Sequence, residues 1–335
     1  MMSGAFTPLP EKRIMMPLVR IDNLVKDYAL PKKYLFRKAP VFRALHNVSF
    51  DINTGDNYGI VGESGCGKST LARIVMALDQ PSSGTVYYQD RDLFTIPAHE
   101  LRYLRRHFQM IFQDPYSSLN PRKKILSTVS EPLDVLEKGI SNKTREERVK
   151  EILNDVGMSS GDIDKYPHEF SGGQRQRIAI ARALITRPSL VVADESVSAL
   201  DVSVQAQVLN LMMDLQAKYN LTFVFISHDL SVVEYVTSKM VVIYLGRVVE
   251  QGKTGEIFQN PMHPYTQLLL EAIPSADPLK KRRRKKRKVP AGTVHRNGCP
   301  FIDRCYLAQT ICREQVPLLL DSGQGHSVAC HVVNS

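Results

Sequence analysis

At 335 residues, with 43% hydrophobic and 23% charged side chains, the chain has the composition of a soluble globular protein, long enough for one large α/β domain and an appendage. Its net charge of +10 is concentrated in residues 280–288, nine consecutive Lys or Arg; the remainder is near +1, which argues against a broad nucleic-acid-binding face. No run approaches the ~18 apolar residues of a membrane span, and residues 1–17 lack the apolar stretch of a signal peptide, so a cytoplasmic location is expected.

Residues 1–17 read as a loose lead-in, with Met15 or Met16 as alternative starts. Strand-like runs follow at 18–28, 43–50 and 57–61. The third leads into Gly62-Glu63-Ser64-Gly65-Cys66-Gly67-Lys68-Ser69-Thr70, the pattern G-x-x-x-x-G-K-[ST] of a phosphate-binding loop, and then into a predicted helix over 68–78. Gly62, Gly65 and Gly67 allow the backbone, Ser64 and Cys66 included, to bring N–H groups against phosphate oxygens at a helix start. Lys68 is expected on the β- and γ-phosphates, Ser69 on Mg²⁺, and Thr70 near the α-phosphate. Cys66 needs only to be small there and is assigned no chemistry.

The next strand-like run, 108–112, ends at Gln113. From there to residue 183 no strand is predicted; instead 128–138 and 143–156 read as helices. Ser171-Gly172-Gly173-Gln174 opens another helix through residue 184, with Ser171 as its N-cap, a start that offers N–H groups to a phosphate. The apolar run 190–193 is capped by Asp194 and Glu195, which suits a buried parallel strand ending at a ligand edge. Asp194 is placed to hold Mg²⁺, and Glu195 to orient or deprotonate an attacking water. A further run, 221–226, precedes Ser227-His228-Asp229, and 240–245 is the last of the strand-like runs. His263-Pro264-Tyr265-Thr266 leads into an apolar helix over 267–273. Strands alternating with helices define an α/β core.

The phosphate loop, Ser171-Gly172-Gly173-Gln174 and Asp194-Glu195, in that order and spacing, resemble the ATP-binding-cassette (ABC) ATPases. The resemblance implies a P-loop NTPase with a RecA-like core, an antiparallel β-subdomain and a helical subdomain over about 114–184. It implies roles for Gln113 as the glutamine that touches Mg²⁺ and water, His228 as the switch histidine on the γ-phosphate, and Asp201, in Ser198-Ala199-Leu200-Asp201, at the joint between two subunits. Tyr28 would stack on adenine, with Tyr34 and Phe36 as rivals. Ser196 stands where family members often carry Pro, which leaves the shape of the following loop open. A Ser171 helix start far from its own phosphate loop implies head-to-tail subunits, each closing the other's ATP site.

Asn120-Pro121-Arg122-Lys123-Lys124, the run 203–216 and His263-Pro264-Tyr265-Thr266 are similar to the ATPases of bacterial oligopeptide, dipeptide and nickel importers, and most of all to the F-type subunit of dipeptide importers. That implies uptake of peptides, a second ATPase (different from this chain, or identical to it), two transmembrane permeases and an external solute-binding protein. It also implies a peripheral place on the cytoplasmic face of the inner membrane, and no nucleic acid. An ATPase for nickel, or a soluble one acting on ribosomes or nucleic acid, is the alternative. The ATPase domain is expected over 18–276, a polybasic linker over 277–290 and a cysteine-rich tail over 291–335. The basic run is read as a solvated linker before a lipid or nucleic-acid contact.

Cys299, Cys305, Cys312 and Cys330 lie in that tail, separated by five, six and seventeen residues. Disulfides are not expected in a cytoplasmic chain, and the C-x-x-C spacing of common zinc modules is missing. Four thiolates at looser spacing suit a 4Fe–4S cluster, as the importer resemblance also implies; zinc, with His295, His326 or His331 as a ligand, or plain reduced thiols, are the other readings. A tail this short is expected to need such a staple to fold.

Overall fold

The computed structural model describes residues 16–31, 39–137, 139–273, 298–323 and 325–334. The basic run, the expected linker, the lead-in through residue 15, and Tyr34, Phe36 and His295 lie outside the described residues.

Two sheets carry the fold. The first is antiparallel, in the order β2-β1-β4-β5, built from β1 (Val19–Ala29), β2 (Val41–Ile52), β4 (Ser83–Tyr88) and β5 (Arg91–Asp92). The second has eight strands in the order β11-β12-β10-β9-β3-β8-β7-β6. Its parallel part comprises β6 (Phe108–Ile111), β7 (Leu190–Asp194), β8 (Thr222–Ser227), β3 (Asn57–Val61) and β9 (Lys239–Tyr244). These strands are nearly continuous in Val, Ile and Phe because both faces are covered; every residue of β3 and β8 is buried. β10 (Arg247–Lys253), β12 (Ser327–Val328) and β11 (Leu320–Asp321) extend the sheet antiparallel beyond β9.

Three apolar cores organise the layers. One joins the antiparallel sheet to the parallel one through the helix Lys68–Val75, with Leu45, Phe50, Ile60, Leu71 and Ile74 in contact. A second lies under the helices Ile125–Leu136, Asn142–Asp155 and Gly172–Leu184 and the long helix Val202–Tyr219, where Val129, Leu153, Ile178 and Met212 meet. The third joins β9 and the helix Pro264–Glu271 to the C-terminal segment through Tyr244, Tyr265, Phe301 and Ile302.

This third core corrects the expectation of a tail that cannot bury its own apolar groups. Residues 298–334 borrow the core of the ATPase sheet instead: β12 pairs with β10, Glu250 opposite Val328 and Gln251 opposite Ser327, and Phe301 is 1% exposed. Among the predicted elements, 68–78 stops short at Val75, because Ala77 turns left-handed at φ 49°. The helix expected over 128–138 starts earlier, at Ile125, and carries Pro132 inside it.

Candidate active site

β3 ends between β8 and β9, and the chain turns back so that Gly67 caps the helix Lys68–Val75. Gly67 sits at φ 106°, and a Cβ there would lie 2.7 Å from the Ala44 carbonyl oxygen, so two separate constraints demand glycine. The Lys68 ammonium is held inside the loop, donating to the Gly62 carbonyl at 2.8 Å and the Glu63 carbonyl at 3.1 Å. A buried cation resting on neutral carbonyls at a helix N-terminus is poised for an anion. Burial pushes the Cys66 thiol up.

The ends of β6, β7 and β8 lie side by side, and the candidate catalytic residues follow from that order. Asp194, the last residue of β7, accepts from the Ser69 hydroxyl at 3.5 Å; burial pushes its carboxyl up, against the pull of Ser69 and Lys68. Glu195 leaves the strand in the left-handed region, φ 46°, with its N–H donating to Ile226 at 2.9 Å. Its carboxylate is bracketed: Gln113 donates to one oxygen at 3.0 Å, and His228 Nδ1 lies 3.2 Å from the other. Ser196, where a proline was the alternative, is buried, and Ser198 ties the loop back through its hydroxyl to the Glu195 carbonyl at 2.9 Å.

Ser171 caps its helix with a reciprocal pair, Ser171 N–H to Gln174 Oε1 at 3.0 Å and Gln174 N–H to Ser171 Oγ at 3.4 Å. Gly172 begins the helix, and packing favours glycine at 173, where an added Cβ would meet Val204 Cγ1 at 2.5 Å. Asp201 is exposed at the N-cap of Val202–Tyr219, its side chain making no cap bond. Thr70 is half-buried on the first turn of the phosphate-loop helix, and Gly65 sits at φ 79°. Tyr28 is half-buried, its hydroxyl donating to Asp79 at 3.0 Å past the C-terminus of that helix, with the Lys26 ammonium 4.9 Å above its ring.

Two residues that sequence reasoning missed also reach the phosphate loop. The Tyr265 hydroxyl accepts the Glu63 N–H at 2.9 Å, and Arg304 donates through both terminal nitrogens to the Glu63 carboxylate at 2.9 Å each. Tyr265 was visible only as part of a sequence signature. Arg304 lies 241 residues from its partner and carries no local signal.

In the C-terminal segment Cys299, Cys312 and Cys330 are buried and Cys305 partly so. Burial, reinforced by the Cys312, Cys305 and Cys330 thiols nearby, pushes the Cys299 thiol up to about 11. Among the described residues, however, no group of three or more His, Cys, Asp or Glu side chains is assembled to hold a metal ion. The two described histidines offered as zinc ligands are engaged elsewhere: His326 with Glu250 at 2.7 Å, and His331 with the Gln315 carbonyl at 3.0 Å.

A phosphate loop facing a strand-end Asp-Glu pair defines a P-loop nucleotide hydrolase. Residues 45–198 match the family model described as ABC transporter, and residues 249–312 the one described as oligopeptide/dipeptide transporter, C-terminal region. The chain is 48% identical to the dipeptide transport ATP-binding protein DppF of Haemophilus influenzae, over 94% of this chain and 96% of that one. It is 45% identical to the oligopeptide transport ATP-binding protein AppF of Bacillus subtilis, over 92% and 95% of the two chains. Among solved structures, the dimeric post-hydrolysis state of the ATP-binding cassette MJ0796 bound to ADP and Pi is similar at 30% identity and a TM-score of 0.62, covering 70% of this chain and 98% of that one. The chain belongs to the ATP-binding subunits of ABC transporters, within the group that carries the oligopeptide/dipeptide transporter C-terminal region, and is an ATPase.

Proposed function

We propose that the chain hydrolyses ATP to drive peptide uptake, with Glu195 as the residue that orients and deprotonates the attacking water. The observation that carries this is the bracketing of its carboxylate by Gln113 and His228 beside the phosphate loop. In the proposed mechanism the amides of residues 62–70 and the Lys68 ammonium bind the phosphates. Ser69 and Asp194, with Gln113, supply the hard oxygen donors that suit Mg²⁺, which would offset charge on the β- and γ-phosphates. Glu195 takes the proton from water, and His228, held against it, contacts the γ-phosphate. Tyr28 stacks on adenine. Ser171, Gly172, Gly173 and Gln174, with Asp201, face the ATP of a second subunit, so the working unit is a pair.

The names of the relatives support peptides as cargo, and a pair of different ATPases is the assembly proposed. Among the described residues no helix is long and apolar enough to cross a membrane. A groove of about 630 Å³ runs from Met76 and Phe112 to Val135 and Arg182, between the parallel sheet and the helical layer. It offers a permease helix an apolar seat next to Phe112, the residue before Gln113, which supports permease partners and a peripheral place at the membrane; two permeases and an external solute-binding protein are proposed from the resemblance to peptide importers. We keep the domain limits 18–276, 277–290 and 291–335. We also keep a 4Fe–4S cluster at Cys299, Cys305, Cys312 and Cys330, on the number and loose spacing of these cysteines in the sequence and not on an assembled metal site; colourless, iron-free protein after anaerobic purification would end that reading. The hydrolysis mechanism is tested by Glu195→Gln, expected to bind ATP and to hydrolyse it at least ~100-fold more slowly in the assembled transporter. Near-normal turnover would overturn the assignment.

A further inference from the structure

Glu63 occupies the first variable position of the phosphate loop, where a carboxylate has the wrong sign for a triphosphate. Its charge is met by an element distant in sequence. Arg304, at the end of the short turn Ile302–Arg304, forks onto both Glu63 oxygens at 2.9 Å. The guanidinium is held in place by an aromatic platform, 5.8 Å from the Tyr244 ring centre and 5.6 Å from that of Phe301. Those two rings and Tyr265 form a buried triangle, with centroids 4.5, 5.2 and 5.6 Å apart. From the same triangle the Tyr265 hydroxyl takes the Glu63 N–H at 2.9 Å. Amide and carboxylate of one phosphate-loop residue are therefore both held by C-terminal elements. The segment that carries Arg304 is itself bracketed by Cys299 and Cys305, and the Ile302 N–H donates to the Cys299 carbonyl at 3.1 Å.

We infer that Arg304 is a positioning residue for ATP binding: it neutralises and anchors Glu63, so that the C-terminal segment completes the phosphate site. Without it, an uncompensated carboxylate stands in an anion-binding loop, and Glu63 is left anchored through its backbone, by Tyr265 and Lys68, with its side chain to be ordered at a cost to nucleotide binding. The inference rests on the nucleotide reading of residues 62–70.

The test uses the full chain, by equilibrium binding of ATP, and the assembled transporter, by steady-state hydrolysis. Arg304→Met is expected to weaken ATP binding and raise KM about tenfold, equivalent to about 1.4 kcal/mol, with kcat changed less than about twofold. That deficit is expected to shrink as salt is raised. Glu63→Gln in the Arg304→Met background is expected to return affinity to within about twofold of wild type, because the offending charge is then gone. Wild-type affinity in Arg304→Met overturns the inference, and so does a double variant as weak as the single, since the lost contact would then be packing and not charge. Where Arg304→Met yields no folded chain, Glu63→Gln alone is read. It leaves Arg304 unpaired at the loop and is expected to tighten ATP binding about threefold at low salt; unchanged or weaker binding overturns the inference. A wild-type chain that binds no ATP would instead defeat the nucleotide reading beneath it.

Discussion

Glu250→Ala is expected to be among the most destabilising single changes in the C-terminal half. The Glu250 side chain is fully buried on β10, and its carboxylate serves three donors. One oxygen accepts the Met262 N–H at 2.8 Å and faces His326 Nε2 at 2.7 Å; the other accepts the His263 N–H at 3.0 Å. Alanine leaves two backbone donors and an imidazole unpaired in a dry interior, at about 1–3 kcal/mol each, so a loss of roughly 3–9 kcal/mol is expected. Against a typical stability of about 5–15 kcal/mol, that brings the chain near its limit. Glu250→Gln keeps one acceptor oxygen for Met262 and His326 and opposes only the His263 N–H, so it should cost about 1–3 kcal/mol. Because the chain has no tryptophan, urea unfolding is best followed by far-ultraviolet circular dichroism. A Glu250→Ala chain within about 1 kcal/mol of wild type, or a Gln variant as weak as Ala, would refute the three-donor argument.

Burial holds the His263 imidazole near 4, below its usual 6.5, so the folded chain refuses a proton that the unfolded chain accepts between those values. This group's share of the stability should therefore fall by about 3 kcal/mol as pH drops from 7 to 4, and His263→Asn should remove that share, leaving the slope of His46, which burial also holds near 4, in pH-dependent unfolding. Gly173→Val must displace Val204, whose Cγ1 would lie 2.5 Å from the first added carbon. It should cost about 1–3 kcal/mol of stability and lower kcat far more than ATP affinity, since the loop of residues 62–70 is untouched; an equal loss of affinity in a nucleotide titration would count against this.

Much of the site is legible in the sequence because its chemistry is local. The phosphate loop, the Asp194-Glu195 pair, Gln113 and His228 each follow a strand whose apolar run marks it, and a parallel sheet gathers strand ends at one edge. What escaped the sequence depends on pairing between distant segments. β4 mixes Ser, Gly, Thr and Tyr without a clean alternation, and its place between β1 and β5 comes from the partner strands. β10 is half-polar and β12 only two residues long, and it is pairing, of β10 with β9 and of β12 with β10, that makes them strands. The bracket around Glu195 needed three strand ends in one frame, and Arg304 had to cross from the last core to the first loop. The cysteines were the clearest sequence feature of the tail, yet apolar burial beside Tyr265 and Phe301 ties that segment down.

β12 closes the outer edge of β10, and the Ala329 N–H reaches the Val249 carbonyl at 2.8 Å. Until residue 329 has been synthesised, β10 therefore presents an unpaired row of N–H and C=O groups, the kind of edge on which chains stick to one another. The ATPase sheet is finished last at that side, by residues made long after the phosphate loop has left the ribosome. A nascent or truncated chain ending in the basic run would thus hold every motif for ATP while exposing an adhesive border. Quality control by aggregation and proteolysis would then act on the C-terminal end, although the chemistry lies elsewhere.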